Sequence, residues 1–295
     1  MTMLALKWIG GALAMLLVAA LALRGIGAMR WASATEALVT ALDTARQPLQ
    51  PARYDAAREL DGLPAPVQRY FRATLRDGQP MVAALRLEHR GAFNLASEGP
   101  DRWQPFTSAQ RVTTRRPGFV WDGRVAVAPG LAVHVHDAYV AGEGLLHPAV
   151  MGLFSLTRMR GRSAEVGGVA HGELMRWLAE AAWVPTALLP SQGVRWSAVD
   201  DHRADATLAD GAVSVTLRFG FDPARGDIAS VRSEARGRTV GGSVVLTPWE
   251  GRWFDHAERD GLRVPLRGEV AWLAPEGERV YWRGEVTAFA PEWAR

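Results

Sequence analysis

No cysteine occurs in the 295 residues, and that absence removes disulfides, thiolate metal sites, cysteine nucleophiles and a lipid-modified N-terminal cysteine together. It leaves the compartment open, because a cysteine-free chain suits an oxidising envelope and a reducing cytosol equally. Lysine is nearly missing as well: Lys7 stands alone against 33 arginines, and the formal net charge is only +3. Without a basic run, a zinc pattern or an aromatic RNA-binding motif, this composition argues against a nucleic-acid partner. The pairs Gly167-Gly168 and Gly241-Gly242 lack the strand, glycine loop and helix spacing that cradles a phosphate, so no cofactor is expected from them. Ser191, in LPSQG (189–193), has no glycine two positions before it and is not a nucleophile elbow. Asp200-Asp201-His202 reads as a charged turn between strands.

The residues that are present begin with an apolar N-terminus. Trp8 to Leu23 carries no charge, and with Leu4 to Leu6 it approaches the roughly 20 residues that span a bilayer. Residues 1–30 therefore read as an uncleaved single-pass anchor. A cleaved signal peptide is the competing reading, since Ala20-Leu21-Ala22 offers small residues at a cleavage point. Trp8 and Trp31 sit where aromatic rings suit the two membrane interfaces. Lys7 on one side and Arg24 and Arg30 on the other nearly balance. The expectation of an inner-membrane protein with its large domain on the periplasmic side thus rests on the habit of short N-terminal anchors to export the chain beyond them. Leu38, Leu42 and Ala45 keep helical spacing, which makes 31–60 a helical linker, and 61–295 is expected to be one β domain.

That domain opens with a helix. Leu63-Pro64-Ala65-Pro66 starts it, and Val67, Tyr70, Phe71 and Leu75 form its apolar stripe. The period then changes to alternation: strands are predicted over 81–95, 106–115, 119–127 and 131–139, separated by Arg116-Pro117-Gly118 and Pro129-Gly130. Residues 144–157 are ambiguous, because Pro148 and Gly152 argue against a central strand. Further strands are expected at 194–199, 204–208, 213–221, 228–236, 242–247, 251–256, 268–273 and 279–289, with Asp210-Gly211 as a two-residue hairpin turn. Strands this close, without crossover helices between them, must be antiparallel. The fold class is therefore mainly β with a few helices: a large curved antiparallel sheet or half-barrel, its concave face covered by a helix and loop.

The covering element is the segment 171–196. Leu174, Trp177, Leu178 and Ala181 share one helical face, opposite Glu173, Arg176 and Glu180, and the helix should end near Trp183 because Pro185 cannot continue it. Thr186 to Leu189, between Pro185 and Pro190, is too apolar for an open loop, so it must be buried, cover a cavity or meet a partner.

The ordered motifs LPAPVQRYF (63–71), RPGFVWDGRV (116–125), GELMRWLAEAAWVPTALLP (172–190), TPW (247–249) and the late pairs at 271–272 and 281–282 resemble a bacterial membrane-anchored family of unknown function. In layout the chain is also similar to the outer-membrane lipoprotein-carrier folds, a resemblance that implies a curved sheet holding helices and binding acyl chains. Neither resemblance supplies a catalytic residue.

Twelve tryptophans are the remaining signal. Large rings fill a curved sheet or line a pocket for an apolar ligand. The expected function is the binding of a hydrophobic or amphipathic, lipid-like ligand, with Trp121, Arg176, Glu180, Trp183, Leu188, Leu189, Trp196 and Trp249 as ligand-binding candidates. Two alternatives stand beside it. One is a hydrolase-type enzyme, which needs Arg176 and Glu180 to converge with His134 and His136, a same-face pair on a strand with Asp137 adjacent but no third metal ligand apparent. The other is an envelope scaffold meeting a partner through its sheet edge or the 185–190 loop. Nothing in the sequence decides the oligomeric state.

Overall fold

Alternation from residue 82 onward produces the expected strands. A computed structural model describes residues 3–96 and 99–294 and joins the strands in one antiparallel sheet. The first arm comprises β1 (Val82–Asn94), β2 (Trp103–Thr113), β3 (Gly118–Ala128), β4 (Leu131–Val140), β5 (Glu143–Val150), β6 (Phe154–Ser155) and β7 (Met159–Gly161). The second comprises β8 (Arg195–Ala198), β9 (Arg203–Asp210), β10 (Val213–Phe221), β11 (Ile228–Val240), β12 (Ser243–Arg259), β13 (Leu262–Ala274) and β14 (Gly277–Trp293). Each arm is a meander, and they join where β1 pairs with β14, so the order runs β6-β5-β4-β3-β2-β1-β14-β13-β12-β11-β10-β9-β8, with β7 also on β5.

Helices α1 (Met3–Thr44), α2 (Ala56–Glu59), α3 (Ala65–Thr74) and α4 (Val169–Glu180) complete the chain, with three 3-10 turns between Ala181 and Gln192. Helix α4 touches both β5 and β10, nine strand positions apart, a path of roughly 43 Å across a flat sheet at about 4.8 Å per strand. A helix is only about 10–12 Å wide, so the sheet must curl around it. The seam between the arms is made by Asp210, which takes the Tyr139 hydroxyl at 2.8 Å and pairs with Arg116. At Gly144 an added Cβ would lie 2.7 Å from the Val169–Ala170 backbone, so glycine lets α4 settle directly on β5.

Several local expectations need correction. The hairpin turn residues are Gly211 and Ala212, because Asp210 pairs with Val213, and it is this shift that places the Asp210 carboxylate at the seam. The strands predicted at 242–247 and 251–256 are one strand, β12. Pro248 falls opposite a bulge between Ser233 and Arg236, where its missing N–H leaves no ladder bond broken. Strand β5 exists despite Pro148, since β7 covers residues 144–146 and β6 covers 149–150, leaving the proline between two short edge strands.

The apolar loop 185–190 is core. Ala187, Leu188 and Leu189 are buried, the Thr186 hydroxyl accepts from the Val82 N–H at 3.1 Å, and the Leu188 carbonyl accepts from the Trp196 indole at 2.9 Å. It plugs the sheet and forms no lid. Helix α1 runs unbroken through the apolar segment and then along the outer face of the sheet, where Leu42 packs on Val120, Ala138 and Leu145. Trp31 is consequently no interface residue: it is buried, donates to Asp122 at 2.9 Å and stacks on His136 at 3.8 Å.

Candidate functional site

Side chains alternate along β4, so Val133, Val135 and Asp137 face the inside of the curl while His134 and His136 face outward onto α1. This parity separates the polar groups an enzyme reading would need to bring together. Thr35 lies 2.7 Å from His136, and Trp31 contacts His134, His136 and His147, so the histidines form a docking surface for α1. Among the described residues no group of histidine and acidic side chains is arranged to hold a metal. Burial lowers the His136 pKa to about 4, and burial with the nearby Arg176 charge lowers that of His89, on the inner face, to about 3.

Inside the curl is a cavity of about 390 Å³, within the range of small-molecule sites. Its walls are mostly apolar, with Phe93, Val125, Val133 and Val135 from the first arm and Val270 and Trp282 from the second. Three of its tryptophans belong to a repeated W-x-G pattern: Trp121 with Gly123, Trp249 with Gly251 and Trp282 with Gly284. Residues i and i+2 share a strand face, so each ring lies over its own glycine. A Cβ at Gly284 would come within 2.5 Å of Trp282, and one at Gly123 would collide with Trp121. The pattern is visible in the sequence and marks the inward face.

The charged side of α4 points into this cavity. Arg176 and Glu180, on the face opposite the apolar stripe, lie inside the curl and keep only 16% and 17% of their side-chain surface exposed. Arg176 pairs with Asp137 of β4 and, at 2.7 Å, with Glu180, which accepts from the Gln110 amide at 2.7 Å. The guanidinium also lies over Phe119 at 4.9 Å and Trp121 at 5.2 Å. Glu173 is buried beside Asp137, and that burial together with the neighbouring charge pushes its pKa well above the usual carboxylate range. Glu173 and Asp137 thus form a close carboxyl pair beside Arg176. Arg236, from β11, stacks over Trp249 at 4.7 Å and has no carboxylate within ion-pairing distance among the described residues.

Of the sequence candidates, Trp121, Arg176, Glu180, Trp183 and Trp249 line the cavity together. Leu188, Leu189 and Trp196 do not. The two leucines belong to the plug, and Trp196 packs on Phe219 and Phe221. Sequence reading missed Arg236, whose position became inward only through the bulge in β11, and Tyr281, whose hydroxyl accepts from the Trp249 indole at 3.0 Å.

Fold and cavity together define a half-barrel β protein with an internal, mainly apolar site. Within that class the chain belongs to a family of unknown function, DUF6920, whose model matches residues 61–290. No curated protein sequence matches it. Among solved structures it is similar to a candidate outer membrane lipoprotein-sorting protein domain from Vibrio parahaemolyticus, at 10% identity and TM-score 0.43, covering 81% of this chain and 94% of that one. It is also similar to a LolA superfamily protein from Nitrosomonas europaea, at 9% identity and TM-score 0.34, covering 77% and 92%. A β-barrel-like protein of a further domain of unknown function from Brucella abortus matches at 11% identity and TM-score 0.28, covering 72% and 99%.

Proposed function

We propose that this protein is anchored by residues 1–30 in the bacterial inner membrane and binds an amphipathic, lipid-like molecule with the cavity of its periplasmic β domain. In this reading 31–60 links the anchor to the domain at 61–295. The observation that carries it is the cavity itself: about 390 Å³ of mainly apolar space containing one internally paired cation, Arg176, and one cation without an ion pair, Arg236. An acyl chain would lie against Trp121, Trp183, Trp249 and Trp282, and an acidic or strongly polar head would meet Arg236. Among the described residues the indole N–H groups of Trp121 and Trp253 have no protein acceptor; an unmatched buried donor costs about 1–3 kcal/mol, which an oxygen on the ligand would offset.

The test is direct. Protein purified in mild detergent should release lipid on solvent extraction and should bind the apolar fluorophore N-phenylnaphthylamine. Val135→Trp, which fills the cavity wall, should weaken fluorophore binding about tenfold or more while leaving the circular dichroism spectrum unchanged. Absence of co-purifying lipid together with equal fluorophore binding by both forms would overturn the reading.

A further inference from the structure

The path of α1 says where the cavity opens. Leu42 of α1 lies against Gly118 at the start of β3, whereas Gly27, farther back along the helix, is packed on the Met151 carbonyl and Leu153 at the turn after β5. Arg24 reaches Gly130, in the turn between β3 and β4. The helix therefore climbs the outer face from one end of the sheet to the other, and its earlier residues project beyond that second end. Those residues, Leu13, Leu16, Leu17, Val18 and Leu21 among them, are exposed along the helix.

Antiparallel alternation puts other turns at the same end. Within the first arm the chain reverses there between β1 and β2, between β3 and β4 and after β5, whereas the β11–β12 hairpin of the second arm packs on Gly167, just before α4 settles on Gly144 at the start of β5. Apolar side chains are exposed on these turns or beside them: Leu95, Phe154 and Leu156. Two of them, Leu95 and Leu156, also line the cavity, so the cavity reaches the surface through this rim. The opposite end is closed by α3, α4 and the buried 3-10 turns.

The level of the rim relative to a bilayer comes from helix geometry. Met3 to Leu23 spans about 31 Å at roughly 1.5 Å per residue, enough for a hydrocarbon core of about 30 Å. Gly27 is then only about 6 Å past that core, within a headgroup layer roughly 5–7 Å deep. The Met151–Leu153 turn that grips Gly27 is held at headgroup level, and Phe154 and Leu156 come directly after it.

We infer that the apolar rim formed by Leu95, Phe154 and Leu156 is a membrane-contact surface, so that the cavity opens onto the same bilayer that holds α1 and exchanges its ligand with that leaflet. The inference rests on the anchor reading of α1. It does not need the ligand's identity, because the occupant of the rim is the lipid surface itself.

The cysteine-free chain makes the test clean. Leu17→Cys, Leu95→Cys, Phe154→Cys and Val199→Cys variants of the full chain would each be labelled with bimane and reconstituted in phosphatidylethanolamine and phosphatidylglycerol vesicles containing doxyl-labelled lipid. Val199 lies at the other end of the sheet, after β8, and is also exposed. Strong quenching at positions 17, 95 and 154, with little at 199, is the expected result. Quenching at 17 with 95 and 154 resembling 199 overturns the rim inference and leaves the anchor standing. Quenching at 154 alone overturns the claim that the mouth faces the bilayer, since only the turn beside α1 would then be near it. Loss of quenching at 17 overturns the anchor and the inference with it.

Discussion

Arg176 shows how strongly enclosure changes a side chain's meaning. On an exposed helix its pair with Glu180 would contribute a few tenths of a kcal/mol. Within the curl it holds two half-buried carboxylates, Asp137 and Glu180, and removing one partner of such a cluster costs up to about 3–5 kcal/mol. Arg176→Met should therefore lower stability by about that amount in urea denaturation of the detergent-solubilised protein, and adding Asp137→Asn and Glu180→Gln should recover most of the loss. The buried histidines give a second prediction at this scale. His89 and His136 have pKa values pushed down to about 3 and about 4 by burial, so the fold keeps them neutral while the unfolded chain takes up protons below about pH 6.5. Stability is full above that pH and falls through the window from about 6.5 to about 4, at up to about 1.4 kcal/mol per pH unit for each histidine. Glu173, with its pKa raised, works the other way, since the proton it holds in the fold favours folding at low pH and that contribution is lost as pH rises. Two depressed histidines outweigh it in that window, and His136→Gln should flatten the acid side of a stability profile measured by denaturation from about pH 7 to about pH 4.5.

Helix α4 is the element on which the site depends. Its apolar stripe of Leu174, Trp177 and Leu178 packs into the core, its charged stripe faces the cavity, and Trp183 just beyond it donates to the Pro265 carbonyl at 3.0 Å and meets Trp253 edge-on. Its seat on β5 depends on the missing side chain at Gly144. Gly144→Val should force the helix away from that strand at a cost of about 1–3 kcal/mol, as overpacking does. Faster proteolysis in the 162–194 segment, monitored by mass spectrometry, would show it; an unchanged cleavage rate would mean the helix is held elsewhere. The amphipathic pattern of α4 was plain in the residues. Its orientation was not, because periodicity distinguishes two faces but cannot say that both are enclosed.

At the scale of the whole molecule, closure depends on the last strand. Strand β14 pairs with β1 on one side and β13 on the other, so the two arms are linked in the sheet only through it. Truncation after Ala274 should leave β1 and β13 as unpaired edges, which aggregate readily, and should abolish the cooperative unfolding transition seen by circular dichroism. A truncated chain that still unfolds cooperatively would show that α4 and the Asp210 seam suffice to hold the arms. The same topology explains a gap in the sequence reading: individual strands announced themselves by alternation, but the pairing of the first with the last joins residues some two hundred positions apart, and no local pattern encodes that.

Alternation, turn residues and one helical stripe determined by themselves that the chain makes an antiparallel sheet with an amphipathic helix to cover it and an apolar N-terminal segment, because those signals are local and periodic. Tertiary structure alone decided which groups share the interior. It placed Asp137 inward and the neighbouring His134 and His136 outward, turned Arg236 to the cavity through a bulge opposite Pro248, and brought α1 to the same end of the sheet as the cavity mouth. The physical reason is that parity along a strand can be read from spacing, whereas curl, register shift and the docking of a helix depend on contacts between residues far apart in the chain.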